Sequence, residues 1–148
     1  MPKLDMDAIP QSNITGYPSQ YARAVEGRWY RRLGPVSGLA DFNASQVVLK
    51  PGASSSQRHW HEDEDEMVIM LSGEAILVDN NGRTVMRAGD VAAFPKDDGN
   101  GHVLVNESEA DCCFVAVGRP ASGDCHYPDI DMHLFAGKGY RRKNGSAF

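Results

Sequence analysis

Between residues 44 and 118 apolar and polar side chains alternate with a period of two, the period of a strand whose successive side chains point to opposite faces. Residues 46–49 predict a strand stopped by Pro51-Gly52, and residues 57–61 predict a second. Residues 66–71 predict a third, with Glu66, Val68 and Met70 on one face and Met67, Ile69 and Leu71 on the other. Residues 74–79 and 83–87 flank Asn81-Gly82, the strongest short hairpin signal, because both positions of that turn need positive φ. A two-residue loop there pairs Asn80 with Arg83, Val78 with Val85 and Leu77 with Met86. Residues 91–94 read as a strand ending at Pro95, and residues 102–106 and 112–117 are expected to pair with each other across the linker 107–111.

The flanks lack this pattern. Residues 1–43, rich in Pro, Gly, Ser and Asn, read as an irregular N-terminal arm with one helical turn near residues 19–25. Residues 28–33 suggest an early strand. Its arginines, Arg28, Arg31 and Arg32, either guard an exposed edge against pairing or bind an anionic substrate or partner. From Gly118 the alternation stops, and residues 119–148 read as a loop-like C-terminal arm packed on the body, with a short element near residues 139–142. The expectation is one all-β domain, with its core over residues 44–118 between the two arms.

The core strands carry the chemistry. His59 and His61, one residue apart on a strand, point to the same side with Cα atoms about 7 Å apart, a spacing from which two imidazoles reach one ion. Glu66 puts a carboxylate on an otherwise apolar strand face, where burial costs several kcal/mol unless the group is paired or ligates an ion. His102 opens a further apolar strand. If the strands curl around a common interior, His59, His61, Glu66 and His102 form a site for one divalent metal ion, with Zn, Mn, Fe and Ni all suited to such donors. Four protein ligands leave positions open on an ion that prefers six. Val68, Met70 and Leu104 follow the ligands in register and predict a small, dry cavity. Asn106 shares the inward face of His102 and is a candidate for binding substrate or, equally, for satisfying a loop carbonyl from within the core. Arg87, on the strand after the hairpin, is the second substrate-binding candidate. Glu62, Asp63, Glu64 and Asp65 read as a solvated turn, and His126 and His133 lie outside the pattern.

Gly52, His59, His61, Glu66 and Gly73 resemble the first cupin motif, and Gly89, Pro95, His102 and Asn106 resemble the second. Six residues separate Gly52 from His59, one more than in the motif. Six also separate Pro95 from His102, two more than in the motif, which lengthens one rim loop. The resemblance implies a double-stranded β-helix, a jelly-roll barrel, with a three-histidine, one-glutamate metal site. Together with the segment from His126 to Asp131, it is also similar to single-domain bacterial cupins of a sugar-phosphate-isomerase-like group. It implies a small-molecule substrate and metal chemistry of isomerase or dioxygenase type. The alternative is a non-enzymatic small-molecule-binding or sensor cupin, here without a helix-turn-helix segment.

Composition narrows the partners. A net charge of −5 argues against a nucleic-acid footprint, and no stretch has the ~20 apolar residues of a membrane span. Three cysteines do not make a disulfide framework, and neighbours Cys112 and Cys113 should face opposite sides of a strand. The expectation is a cytoplasmic protein, and a homodimer, because the hairpin carries apolar pairs on both faces.

Overall fold

The computed structural model describes residues 3–148. Twelve strands are found among them: β1 (Arg28–Arg32), β2 (Asn43–Leu49), β3 (Trp60–His61), β4 (Glu66–Ser72), β5 (Glu74–Asp79), β6 (Gly82–Arg87), β7 (Val91–Phe94), β8 (Val103–Val105), β9 (Cys112–Gly118), β10 (Cys125–Tyr127), β11 (Met132–Phe135) and β12 (Gly139–Arg141). Every pairing is antiparallel. One wall is a five-stranded sheet in the order β1-β2-β9-β4-β7. Opposite it stand a three-stranded sheet, β6-β5-β8, and a four-stranded one, β12-β11-β10-β3. Bridges from Ser54 to Val105 and from His59 to His102 join these two smaller sheets edge to edge, which completes the jelly-roll barrel. No helix among the described residues is long and apolar enough to cross a membrane.

Alternation fills the interior. Val47, Leu49, Val68, Met70, Phe94, Cys112 and Phe114 from the large wall meet Ala75, Met86 and Leu104 from the smaller one in a single buried cluster. Cys112 is buried and Cys113 only half so, as their places on β9 require. A second cluster, around Cys125, Tyr127 and Met132, takes Tyr17 and Tyr21 from the N-terminal segment. The helical turn at α1 (Ser19–Ala22) and the following 3-10 turn bring Tyr21 there.

Three local expectations change. First, residues 102–106 and 112–117 do not pair: β8 joins β5, while β9 lies between β2 and β4 on the opposite wall. Both segments are apolar on both faces, so alternation alone could not choose their partners. Second, the hairpin turn is Asn80-Asn81. Gly82 pairs with Asp79, Val78 with Arg83 and Ile76 with Val85. The Asp79 carboxylate accepts the Asn81 N–H at 2.8 Å, which holds the turn one residue earlier and leaves the positive φ (+120°) to Gly82 alone. Third, the C-terminal segment is part of the barrel wall: Cys125 pairs with His61 and His126 with Trp60, and β11 and β12 extend that sheet outward. Strands of three or four residues, split by Pro128-Asp129, are too short for a period of two to stand out. Arg58 fastens this segment by a forked pair of 2.8 Å bonds to Asp129, while it also bonds Asn80 in the hairpin turn and the Gly101 carbonyl.

Gly73, between β4 and β5, has φ +72°, and a Cβ there would lie 2.6 Å from the Asp111 carbonyl oxygen. Gly52 has φ +84° but open space around it. Gly52→Ala is therefore expected to cost about 1–2 kcal/mol from backbone strain alone. Gly73→Ala should cost about 2 kcal/mol more, because β5 must move away from β9. Urea unfolding of the two variants against the parent checks the difference.

Candidate metal centre

Three separate elements deliver the four donors. His59 and His102 face each other across a bridge closed by two backbone bonds, His59 N to His102 O at 3.1 Å and His102 N to His59 O at 2.9 Å. Their side chains therefore leave the sheet on the same side. His61 lies two residues on, on the same face of β3. Glu66 opens β4 on the opposite wall, between Phe94 of β7 and Gly118 of β9. A side chain at position 118 would crowd it, since a Cβ there would come within 3.4 Å of the Glu66 Cγ.

The donor atoms converge. Glu66 Oε2 lies 2.9 Å from His102 Nε2, 3.3 Å from His61 Nε2 and 3.7 Å from His59 Nε2, and the two nitrogens of His59 and His61 are 3.1 Å apart. Ligands bonded to one ion at about 2.1 Å are separated by about 3.0 Å at the edge of an octahedron and about 3.4 Å at that of a tetrahedron. The cluster has that scale. Its electrostatics fit as well. Burial works against the Glu66 carboxylate, yet the three imidazoles hold it well below the usual carboxylate range. Burial likewise works against the charged form of His61, but Cys125 and Glu66 outweigh it and push the ring up to about 10. Burial keeps His102 below its ordinary value. A half-buried carboxylate facing three imidazoles favours positive charge at the centre of the cluster, and a divalent ion would supply it without a proton on any ligand.

The surrounding groups aim the rings. His59 Nδ1 lies 2.9 Å from the Gln57 carbonyl, which accepts its N–H and leaves Nε2 free to ligate. Glu64 does the same for His61, with 3.1 Å between its Oε2 and Nδ1. His102 Nδ1 is buried without a partner, and its ring is held instead by stacking on Phe94, 3.6 Å between centroids and 3° from parallel. The sequence reading placed Glu64 in a solvated turn. It is buried, and burial raises its carboxyl pKa. One acidic residue in a run of five carries no mark of its own, so only the curl of the chain singles it out. Cys125 was also missed. It sits opposite His61, and its sulfur lies within 4.8 Å of the donor atoms of His59 and His61. Tyr127, next along its face, has its ring 5.7 Å from that of His59.

A cavity of about 450 Å³ opens beside the cluster. Val68, Phe94, Leu104 and Phe114 are among its apolar lining, but Tyr17, Tyr30, Tyr127, Tyr140, Arg28 and Arg32 line it too. The small, dry cavity expected from Val68, Met70 and Leu104 is thus only half right. Neither candidate for binding substrate lines this cavity. Arg87 points outward from β6, two-thirds exposed, with its guanidinium 3.1 Å from Glu74. Asn106 is fully buried and fully used: its amide donates to the Leu49 and Ala110 carbonyls, both at 2.8 Å, and its oxygen accepts from the Ser108 N–H and hydroxyl. Asn106 ties the 107–111 loop to β2, the second of the two readings given to it. His126 and His133 serve the outer face. His126 stacks on Trp60 and bonds Glu62, and His133 bonds Asp124.

The cupin domain family profile matches residues 45–118. A Silicibacter pomeroyi structure described as a sugar phosphate isomerase from a cupin superfamily superposes with a TM-score of 0.94 at 40% identity, covering 99% of this chain and 96% of that one. A Cupin 2 conserved barrel domain protein from Salinispora arenicola superposes with a TM-score of 0.58 at 29% identity, over 80% of this chain and 87% of that one. Among curated proteins, an oxalate-binding protein from Thermotoga maritima is 37% identical over 73 residues, 49% of this chain and 58% of that protein's length.

His61→Ala and His102→Ala should each lose the bound ion on dialysis, read by elemental analysis, while Arg87→Ala keeps it. Glu64→Gln should retain the fold but weaken metal binding about 10- to 100-fold, because it loosens the grip on His61 Nδ1. A competition titration with a chromophoric chelator measures that loss.

Proposed function

The chain belongs to the cupin family, and on that premise we propose that it is a metal-dependent enzyme acting on a small molecule that binds the ion directly. The observation that carries this reading is the position of the cluster. All four residues line the cavity, so a ligand there would reach an ion held by them. A purely structural site would be closed.

His59, His61, Glu66 and His102 would hold one Zn, Mn, Fe or Ni ion. Bound there, it would supply Lewis-acid polarisation of a carbonyl or enediol oxygen, or a site for dioxygen if it is iron. The protein contributes the rest. Phe94, Phe114, Val68 and Leu104 keep water from one side of the substrate, which strengthens every charge interaction in the cavity. Tyr127 and Tyr140 stand on the wall next to the histidines and offer hydroxyls for orienting or proton exchange. Burial raises the pKa of both, so they act as neutral donors at ordinary pH. Sugar phosphates and oxalate, the molecules named for two relatives, are both small enough for a cavity of this volume. Isomerase chemistry is the preferred reading, supported by the likeness that runs nearly the full length of both chains.

We propose further that the chain forms a homodimer. The outer face of the large sheet, rather than the hairpin, carries the surface in need of cover. Met67, Leu71 and Val91 are 41%, 49% and 55% exposed there, and Ile69, Ala93, Val115 and Val117 share the face. A two-fold axis through such a patch pairs it with itself.

Metal-loaded and chelator-stripped protein should be compared on a panel of sugar phosphates and small 2-oxo acids. Turnover that disappears with the metal and returns on its re-addition is expected. No turnover across the panel, with ligands that bind and are released unchanged, would replace the enzyme by a small-molecule-binding or sensor domain. Light scattering at micromolar concentration should give twice the chain mass, and Met67→Glu with Val91→Glu should halve it. A monomeric parent would remove the dimer.

A further inference from the structure

β1 turns charge into the barrel. Its register sets Arg28 opposite Leu49, Tyr30 opposite Val47 and Arg32 opposite Ser45. Leu49 and Val47 belong to the core, so Arg28, Tyr30 and Arg32 share the inward face of the strand. Arg31, on the other face, bonds the Gln46 side chain and the Ile9 carbonyl. The edge-guarding part offered for these arginines is already filled by the chain itself: Ser12 exchanges two backbone bonds with Tyr30 and covers the free edge of β1.

The two inward arginines, Arg28 half-buried and Arg32 exposed, lack the carboxylate partner that several other arginines of the chain have. Arg58 is met by both oxygens of Asp129, and Arg83, Arg87 and Arg119 each have a carboxylate. Among the described residues no carboxylate pairs with Arg28 or Arg32. Arg28 spends one N–H on the Ser55 carbonyl at 3.0 Å, while its Nε is shut off from solvent with no hydrogen-bond partner. The two guanidinium carbons lie 5.4 and 5.6 Å from the centre of the same Tyr30 ring, which holds two like charges close together. The acidic residues of this cavity, Glu64 and Glu66, are committed to the histidines. Positive charge therefore gathers on the β1 side of the cavity, with no carboxylate among the described residues paired to it.

We propose that Arg28 and Arg32 form an anion subsite in the same cavity as the metal centre. The substrate class is then a small molecule with an oxygen donor for the ion at one end and a carboxylate or phosphate at the other. Arg28, forked and partly desolvated, takes the anion by charge-assisted hydrogen bonds, and Arg32 neutralises it from the mouth. This rests on the reading that the ion has a position open toward the cavity.

The Co(II)-loaded full chain separates the two ideas. Imidazole, a neutral ligand for the ion, reports the open position through the visible bands. Phosphoglycolate and succinate probe the span from ion to subsite. Imidazole and at least one dianion should perturb the bands in the parent protein. Arg28→Met should weaken the dianion about tenfold or more while imidazole binds as before. Arg32→Met, at the exposed mouth and safe for folding, should weaken it less, and Arg28→Lys should fall between Arg28→Met and the parent. A larger effect on phosphoglycolate marks a phosphate subsite, and a larger effect on succinate a carboxylate one. If imidazole binds but neither dianion does, or if the dianions bind equally well without Arg28 and Arg32, the subsite is overturned and the open metal stands. If imidazole also fails, the open position is lost and this inference with it.

Discussion

A carboxylate buried among three imidazoles sets the terms for the rest of the barrel. Glu66 gives up most of its hydration at the start of β4, and that loss is compensated only if cationic or metal-bound nitrogens stand within about 3 Å of it on several sides. No single element can supply them. The nitrogens come from β3, from the bridge before it and from the start of β8, all on the facing wall. The spacing between the two walls is thereby fixed at one point by a polar contact, while Leu49, Met70, Phe114 and Leu104 set it elsewhere by packing. Residues with no part in ligation are held to the same spacing. Gly118 stays small beside Glu66, and Phe94 fixes the plane of His102.

The cluster in turn makes the cavity asymmetric. Its lining joins the carboxylate and imidazole cluster to two guanidinium groups without a carboxylate partner among the described residues, and to four tyrosines. Such a lining orients a polar molecule before it touches either group. It also gives four tyrosines a place beside the phenylalanines and aliphatic groups of the core. Their rings carry apolar area while their hydroxyls serve a polar interior. Tyr17, Tyr127 and Tyr140 pack edge to face, with centroids 5.2 to 6.2 Å apart, so the hydroxyls are held on a stiff aromatic frame.

The four residues of the His/Glu cluster were legible because each violates the pattern around it. His59 and His61 share a strand face, Glu66 is a charge where alternation demands an apolar group, and His102 heads an apolar run. The strands of the large sheet and the hairpin were legible for the same reason. What stayed hidden was set by pairing over distance. The partners of β8 and β9, the place of β10 beside His61, and the inward turn of Arg28 and Arg32 all follow from register, which no local period encodes when both faces of a strand are apolar or when a strand has three residues. Asn106 was visible as an inward polar group, but only the course of the 107–111 loop shows that it serves the backbone. Arg87 was read toward the site from the face it shares with Val85 and Ile76, but Glu74 holds it on the outside.

The strand that carries His61 has only two residues, and its outer neighbour, β10, lies near the end of the chain. A strand that short makes too few ladder bonds to fix its own course, so His61 takes its position from β10, and through β10 from β11 and β12. Loosening at Leu134 or Tyr140, far from the donors in sequence, would therefore reach the cluster as lost alignment and not as a lost donor.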